Sequence, residues 1–128
     1  TDFYPTILQM AGLPLLPKQH VDGISLVPLL KGDRKAIEKE EERSFFWFYP
    51  HYGNQGGQPG SAIRKGKYKL IEFFADGTQE LYNLDSDISE KDNLADKLPA
   101  VRKELSDELH QWQKEVGAVF PERRIKDN

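Results

Sequence analysis

A chain of 128 residues is long enough to bury one core without metal or disulfide staples, and its 38% apolar and 30% charged residues imply a large solvated surface around that core. Its formal net charge of −3, with basic residues interleaved among acidic ones, exerts no strong pull on nucleic acid, and no apolar run is long enough to span a membrane. The absence of cysteine removes a disulfide framework, a thiol nucleophile and any cysteine-ligated zinc.

The chain opens on Thr1 rather than Met, and at a helix cap, so a longer parent is expected. Asp2 can cap a short helix over Phe3–Ala11, with Pro5 tolerated in the first turn, where its missing N–H has no partner to lose. Phe3, Ile7, Met10 and Ala11 keep helical spacing, and Gly12 stands where a stop belongs. After a loop holding Pro14 and Pro17, Ser25 is placed to cap a second short helix, Leu26–Lys31, closed by Gly32. From Asp33 to Glu42 nearly every residue is charged, with Ala36 and Ile37 the exceptions, which reads as a solvated helix or loop.

Ser44–Tyr49 (SFFWFY) is expected to be a strand covered on both faces. The loop Pro50–Gly60 is glycine-rich and too polar for a core. Ser61–Arg64 and Lys67–Phe74 read as strands joined at Lys65-Gly66, and Asp76-Gly77 leads into a further strand near Gln79–Leu84. Three strands joined by tight turns must run antiparallel, as a meander. The acidic stretch Asp85–Asp92 is turn chemistry, followed by a short helical turn around Asn93–Lys97. Pro99 then opens the longest helix, about Pro99–Val116, whose Val101, Leu105, Leu109, Trp112 and Val116 form one apolar stripe ended by Gly117. The expected fold is α+β: a small antiparallel sheet of about four strands with the C-terminal helix packed against it.

Chemistry-bearing residues are sparse. His110 follows Leu109 on the last helix and reads as a boundary residue, and His20 in its loop reads as structural. His51 differs, because it leaves a strand at the mouth of a glycine-rich loop, where binding groups concentrate. No Ser-His-Asp set assembles, and Gly60-Ser61-Ala62 is not a nucleophile elbow. The glycines of 53–60 lack the lysine and following helix of a phosphate loop. Asp85, Asp87, Ser89 and Glu90 imitate the start of a calcium loop, but Glu90 stands where glycine is required, so Asx-turns account for them better. The SFFWFY aromatics read as core rather than a base-stacking platform, since no basic groove accompanies them.

Three ordered segments resemble the C-terminal part of the type I, formylglycine-dependent sulfatases. The first is Thr1 to Leu8 (TDFYPTIL) with Ala11-Gly12, Asp22 to Leu26 and Pro28 to Leu30. The second is Ala62-Ile63-Arg64 with Gly66 to Ile71. The third is Glu80 to Leu84 with Asp87, Glu90 and Asn93 to Ala95, then the closing helix through Trp112. Phe48 to Tyr52 (FYPHY), together with Pro59 to Arg64, is similar to a bacterial branch acting on sulfated carbohydrates.

The resemblance implies residues 1–32 as the tail of a sulfatase catalytic domain and 33–128 as the sulfatase-like C-terminal α+β subdomain. It implies a parent that hydrolyses sulfate esters with a formylglycine and calcium, and that is exported in bacteria. Those groups lie upstream, so this chain is expected to hold no catalytic residue, cofactor or metal. It would complete a pocket for a sulfated sugar, with His51, Tyr52, Asn54 and Arg64 as the candidate substrate-binding residues and Gln55 nearby; Arg64 reads also as a member of a structural ion pair, the reading its residue type favours. Its expected partner is the catalytic domain of the same parent; freed from it, the apolar face around Phe3 and Ile7 favours self-association. The alternative is a free-standing carbohydrate-binding or structural module using the same loop.

Overall fold

The computed structural model describes residues 1–53 and 57–121, and they divide into two compact units, Thr1–Glu42 and Arg43–Asn128. In the second unit four strands cross one sheet in chain order: β1 (Ser44–Tyr49), β2 (Gly60–Lys65), β3 (Tyr68–Phe73) and β4 (Gln79–Asn83), each antiparallel to the next. Lys65 pairs with Tyr68, leaving Gly66-Lys67 as a two-residue loop in which Gly66 takes φ +53°, a left-handed turn position that glycine adopts at least cost. At the next turn Asp76 accepts the backbone N–H and the hydroxyl of Thr78 through one oxygen. Turn chemistry therefore sets each reversal, and reversal sets the meander.

Register then decides the core. Phe46, Ile63, Leu70 and Leu81 lie opposite one another across all four strands, and Ile63, Leu70 and Leu81 are fully buried. Over them lies α4 (Pro99–Glu115), which brings down Leu105 and Leu109, while Trp112 stacks on Phe46. Polar ties surround this contact. Glu108 accepts bonds from Lys65 (2.8 Å) and from the Ser44 hydroxyl. Gln79 donates to Ser106 (2.9 Å), and Gln113 donates to Ser61 in a buried bond of 2.7 Å. Along the outer edge of β4, Leu94 N–H meets the Leu81 carbonyl and Asn93 Oδ1 accepts Leu81 N–H.

Two expectations change here. Val116 is 54% exposed, because the helix has ended: it is the C-cap, and the chain turns away at Gly117 (φ +63°). β1 is covered on one face only, since α4 reaches Phe46 and leaves Trp47 and Tyr49 exposed. The two compact units meet at 42/43, and the charged run forms a helix, α3 (Arg34–Glu41), that groups with α2 (Val27–Leu30).

In the first unit α1 (Phe3–Met10) is tied to the segment before α2 by side chains. Asp2 does not cap its own helix; its Oδ1 accepts the N–H of Ile24 at 3.0 Å. Thr6 accepts the N–H of Leu26 (2.9 Å) and donates to the Asp2 carbonyl (2.6 Å). Ser25 does accept the first N–H of α2, that of Val27. Gly23 is required by close approach, since a β-carbon there would sit 2.5 Å from the Thr1 carbonyl oxygen. Phe3, Ile7 and Met10 remain exposed on α1.

Candidate functional site

The loop after β1 is held at both ends. Tyr49 pairs with Gly60, so the chain leaves and re-enters the sheet at one point. On the return, buried Pro59 accepts the Phe74 N–H (2.9 Å). Gly60 lies so close to β3 that a β-carbon would stand 2.6 Å from the Glu72 carbonyl oxygen. Between these anchors His51 and Tyr52 are exposed, with the His51 ring edge-on to Tyr49 at 5.4 Å. Imidazole and phenol side chains presented this way can donate hydrogen bonds to sugar oxygens, and a protonated imidazole can face a sulfate. Asn54 and Gln55 lie outside the described residues.

Arg64 stands apart. It is four residues further along β2 than Gly60, about 13 Å at the usual strand rise. It lies on the face away from α4, opposite Phe45 and Lys69, and its recorded polar contact is the Gly66 carbonyl at 3.5 Å. The described candidates are thus divided, His51 and Tyr52 on the loop and Arg64 on the far part of a strand.

That same face holds a cleft of about 440 Å³, lined among others by Trp47, Tyr49, Ala62, Arg64, Ile71 and Phe73. Near Arg64, Lys69 pairs with Glu90 at 2.7 Å. Tyr82 is buried beside them, and burial first, then its bond to Glu80, pushes its hydroxyl up to about 12. Reading SFFWFY as doubly covered concealed this face. The signal that reveals it is the second alternating set, Phe45, Trp47 and Tyr49.

The other histidines are engaged structurally. His110 Nε2 meets Glu72 Oε2 at 2.8 Å across the edge of the α4 contact, and His20 Nδ1 lies 3.0 Å from the Gly23 carbonyl. Asp87 Oδ2 accepts the N–H groups of Lys91 and Asp92, both at 2.8 Å, the turn chemistry expected of that stretch. Among the described residues no three His, Cys, Asp or Glu side chains are grouped to hold a metal ion.

Residues 1–115 match the family described as N-sulphoglucosamine sulphohydrolase, C-terminal. A sulfatase of Formosa agariphila is 33% identical over 106 residues, covering 77% of this chain and 19% of the relative. Human arylsulfatase K is 32% identical over 113 residues, covering 85% of this chain and 20% of its own. Among solved structures, a 2-O GAG sulfatase superposes with a TM-score of 0.71 at 24% identity, over 91% of this chain and 25% of that one. A second, solved in complex with its substrate D-glucosamine-2-N,6-O-disulfate, gives 0.67 at 25% identity, over 96% and 25%. The chain spans about a fifth of the length of the curated relatives it matches.

Proposed function

The chain belongs to the sulfatase C-terminal domain family, and we propose that it is the portion of a carbohydrate sulfatase that completes the substrate pocket, with nucleophile and calcium supplied upstream in the same parent. Residues 1–32 are then the end of the catalytic domain. The observation that carries this reading is the family match across residues 1–115. A neighbour of the same fold is solved with a sulfated glucosamine, which supports a sulfated sugar as the substrate class.

Within the domain, the loop 50–59 is the element that reaches the sugar, and His51 is its leading contact. Strand β1 sets where the loop starts, Pro50 stiffens the exit, and His51 and Tyr52 are the first side chains free to project. Such a contact acts on recognition and not on the sulfur. In the full parent, His51→Ala should therefore lower kcat/KM for a sulfated sugar by an amount worth about 1–3 kcal/mol, the scale of a polar contact left unpaired. A small aryl sulfate that never reaches the loop should be turned over nearly as before. Equal losses on both substrates would place His51 at the reacting centre; no loss on either would leave it structural.

A further inference from the structure

Helix α4 ends in a fixed reversal. The Ala118 N–H returns to the Gln113 carbonyl at 2.9 Å, and Gly117 takes the left-handed position that turns the chain back on itself. Shortly after, Phe120 meets the sheet where the loop 50–59 is anchored. Its ring lies edge-on to Phe48 at 5.5 Å and to Phe74 at 5.0 Å, and those two rings lie 5.4 Å from each other. Edge-to-face contact is an arrangement that aromatic rings prefer. Both partners belong to the anchors of the loop. Phe48 precedes Tyr49, the last residue of β1, and Phe74 donates its N–H to Pro59, on which the chain returns. β1 and β2 stop pairing at Tyr49 and Gly60, so the direction in which the loop departs depends on what packs at this end of the sheet.

We infer that Phe120 is a positioning residue for His51: by packing on Phe48 and Phe74 together it sets the direction in which the loop leaves β1, and it acts on sugar recognition without touching the sugar. The proposal rests on the reading of the loop as the element that meets a sulfated sugar. Three features select this role over plain core packing. Phe120 is 51% exposed and lies past the end of α4, while the core of Ile63, Leu70, Leu81 and Leu109 closes without it. Its ring joins the end of β1, the chain after β3 and the tail after α4, so one side chain fixes both ends of the loop relative to the helix. His51 in turn rests edge-on against Tyr49, the neighbour of Phe48, so a tilt at the end of β1 is passed to the imidazole. A recognition group held this way binds better than one free to swing, because much of its ordering is complete before the ligand arrives.

The test pairs nuclear magnetic resonance on the 128-residue chain with kinetics on the full parent. In the chain, Phe120→Ala should speed exchange of the Phe74 amide by about two- to tenfold, the equilibrium equivalent of one aromatic pair. The Leu81 amide, bonded to Asn93 in the core, should exchange as before. The ring-proton shifts of His51, set by the Tyr49 ring, should move toward those of free histidine. Phe120→Tyr keeps the ring and should restore both readings. In the parent, Phe120→Ala should raise KM for a sulfated sugar by about two- to tenfold, with kcat and the turnover of an aryl sulfate nearly unchanged. Added to His51→Ala it should cause no further loss, because it acts through His51. Unmoved His51 shifts overturn the proposal, and so does equal quickening of the Phe74 and Leu81 amides, which would make Phe120 a general stabiliser. Additive losses overturn it in favour of direct contact between Phe120 and the sugar. The two readings fail separately. Moved His51 shifts, with no change of KM in His51→Ala, uphold the bracing by Phe120 and remove the loop from the sugar. A raised KM in His51→Ala, with unmoved shifts in Phe120→Ala, removes the bracing alone.

Discussion

Phe46 of β1 and Trp112 of α4 lie face to face, their ring centroids 4.8 Å apart and their planes 5° from parallel. The pair joins the first strand of the sheet to the last turns of the helix, and Leu109 fills the space one turn before it with no exposed surface. Leu109→Ala should cost about 2–5 kcal/mol in urea unfolding, the range for a buried leucine truncated to alanine. A double-mutant cycle on Phe46→Leu and Trp112→Leu should return a coupling of about 0.5–1.5 kcal/mol for the ring pair. Val116→Ser, by contrast, should stay within about 0.5 kcal/mol, as an exposed site does. A loss at Leu109 no larger than that at Val116 would mean that α4 does not close the core.

Gln113 and Ser61 make a buried polar contact inside that same seam. Gln113→Ala should cost about 1–3 kcal/mol, because the Ser61 hydroxyl is then buried without a partner. Replacing both, Gln113→Leu with Ser61→Ala, should recover much of the loss, since no orphaned group remains. If the double replacement is as damaging as the single one, the bond contributes through packing and not through its polarity.

Stability should fall off at both ends of the pH scale, for separable reasons. Burial works against the Glu108 charge, but the bonds from Lys65 and Ser44 outweigh it and hold the carboxyl below its ordinary 4.5. A depressed folded value means this contribution is present above pH 4.5 and is lost as pH falls through the folded value. The bond to Glu108 raises Lys65 above 10.5, so its share is present below that pH and is lost as pH rises past it. Tyr82 is raised from 10.0 to about 12, so its contribution drains away across that interval. Urea midpoints against pH should show Glu108→Gln flattening the acid limb and Tyr82→Phe flattening the limb from pH 10 upward. An unchanged acid limb in Glu108→Gln would remove the carboxylate from the account.

The purified 128-residue chain should hydrolyse neither an aryl sulfate nor a sulfated sugar, with calcium present or absent. Measurable turnover that survives repurification would overturn the assignment of the chemistry to an upstream domain.

The strands, the meander and the long helix were legible because turn residues and periodicity act locally. Lys65-Gly66 and Asp76-Gly77 announce their reversals, and the spacing of Leu105, Leu109 and Trp112 announces a buried stripe. What covers each face of β1 is a tertiary matter. Six aromatic-rich residues look alike whether one face or both are packed, so Trp47 and Tyr49 were read as core. Asp2 misled for a similar reason: its spacing suits a cap, but the N–H it accepts belongs to Ile24, a distant residue that no local pattern indicates. Of the candidate contacts, His51 and Tyr52 do project from the loop. Arg64 lies on β2, about 13 Å along the strand from Gly60, where the loop ends, a separation that sequence proximity does not convey.

Because each strand pairs with its immediate neighbour in sequence, the sheet can assemble by closing three successive connections, two of them tight turns. Contacts of short sequence separation need little loop-closure entropy before they begin to reward it, and proteins rich in them fold quickly. Within the second unit the separations that slow folding are few, chiefly those joining α4 to β1 and β2, such as Trp112 to Phe46 and Gln113 to Ser61. The expected order of events is a meander formed early and a helix that locks it late, with Phe46→Leu and Trp112→Leu changing the unfolding rate more than the folding rate. A polypeptide emerging from the ribosome would then lay down the β-strands in sequence and seal them only when the final turn of α4 is released.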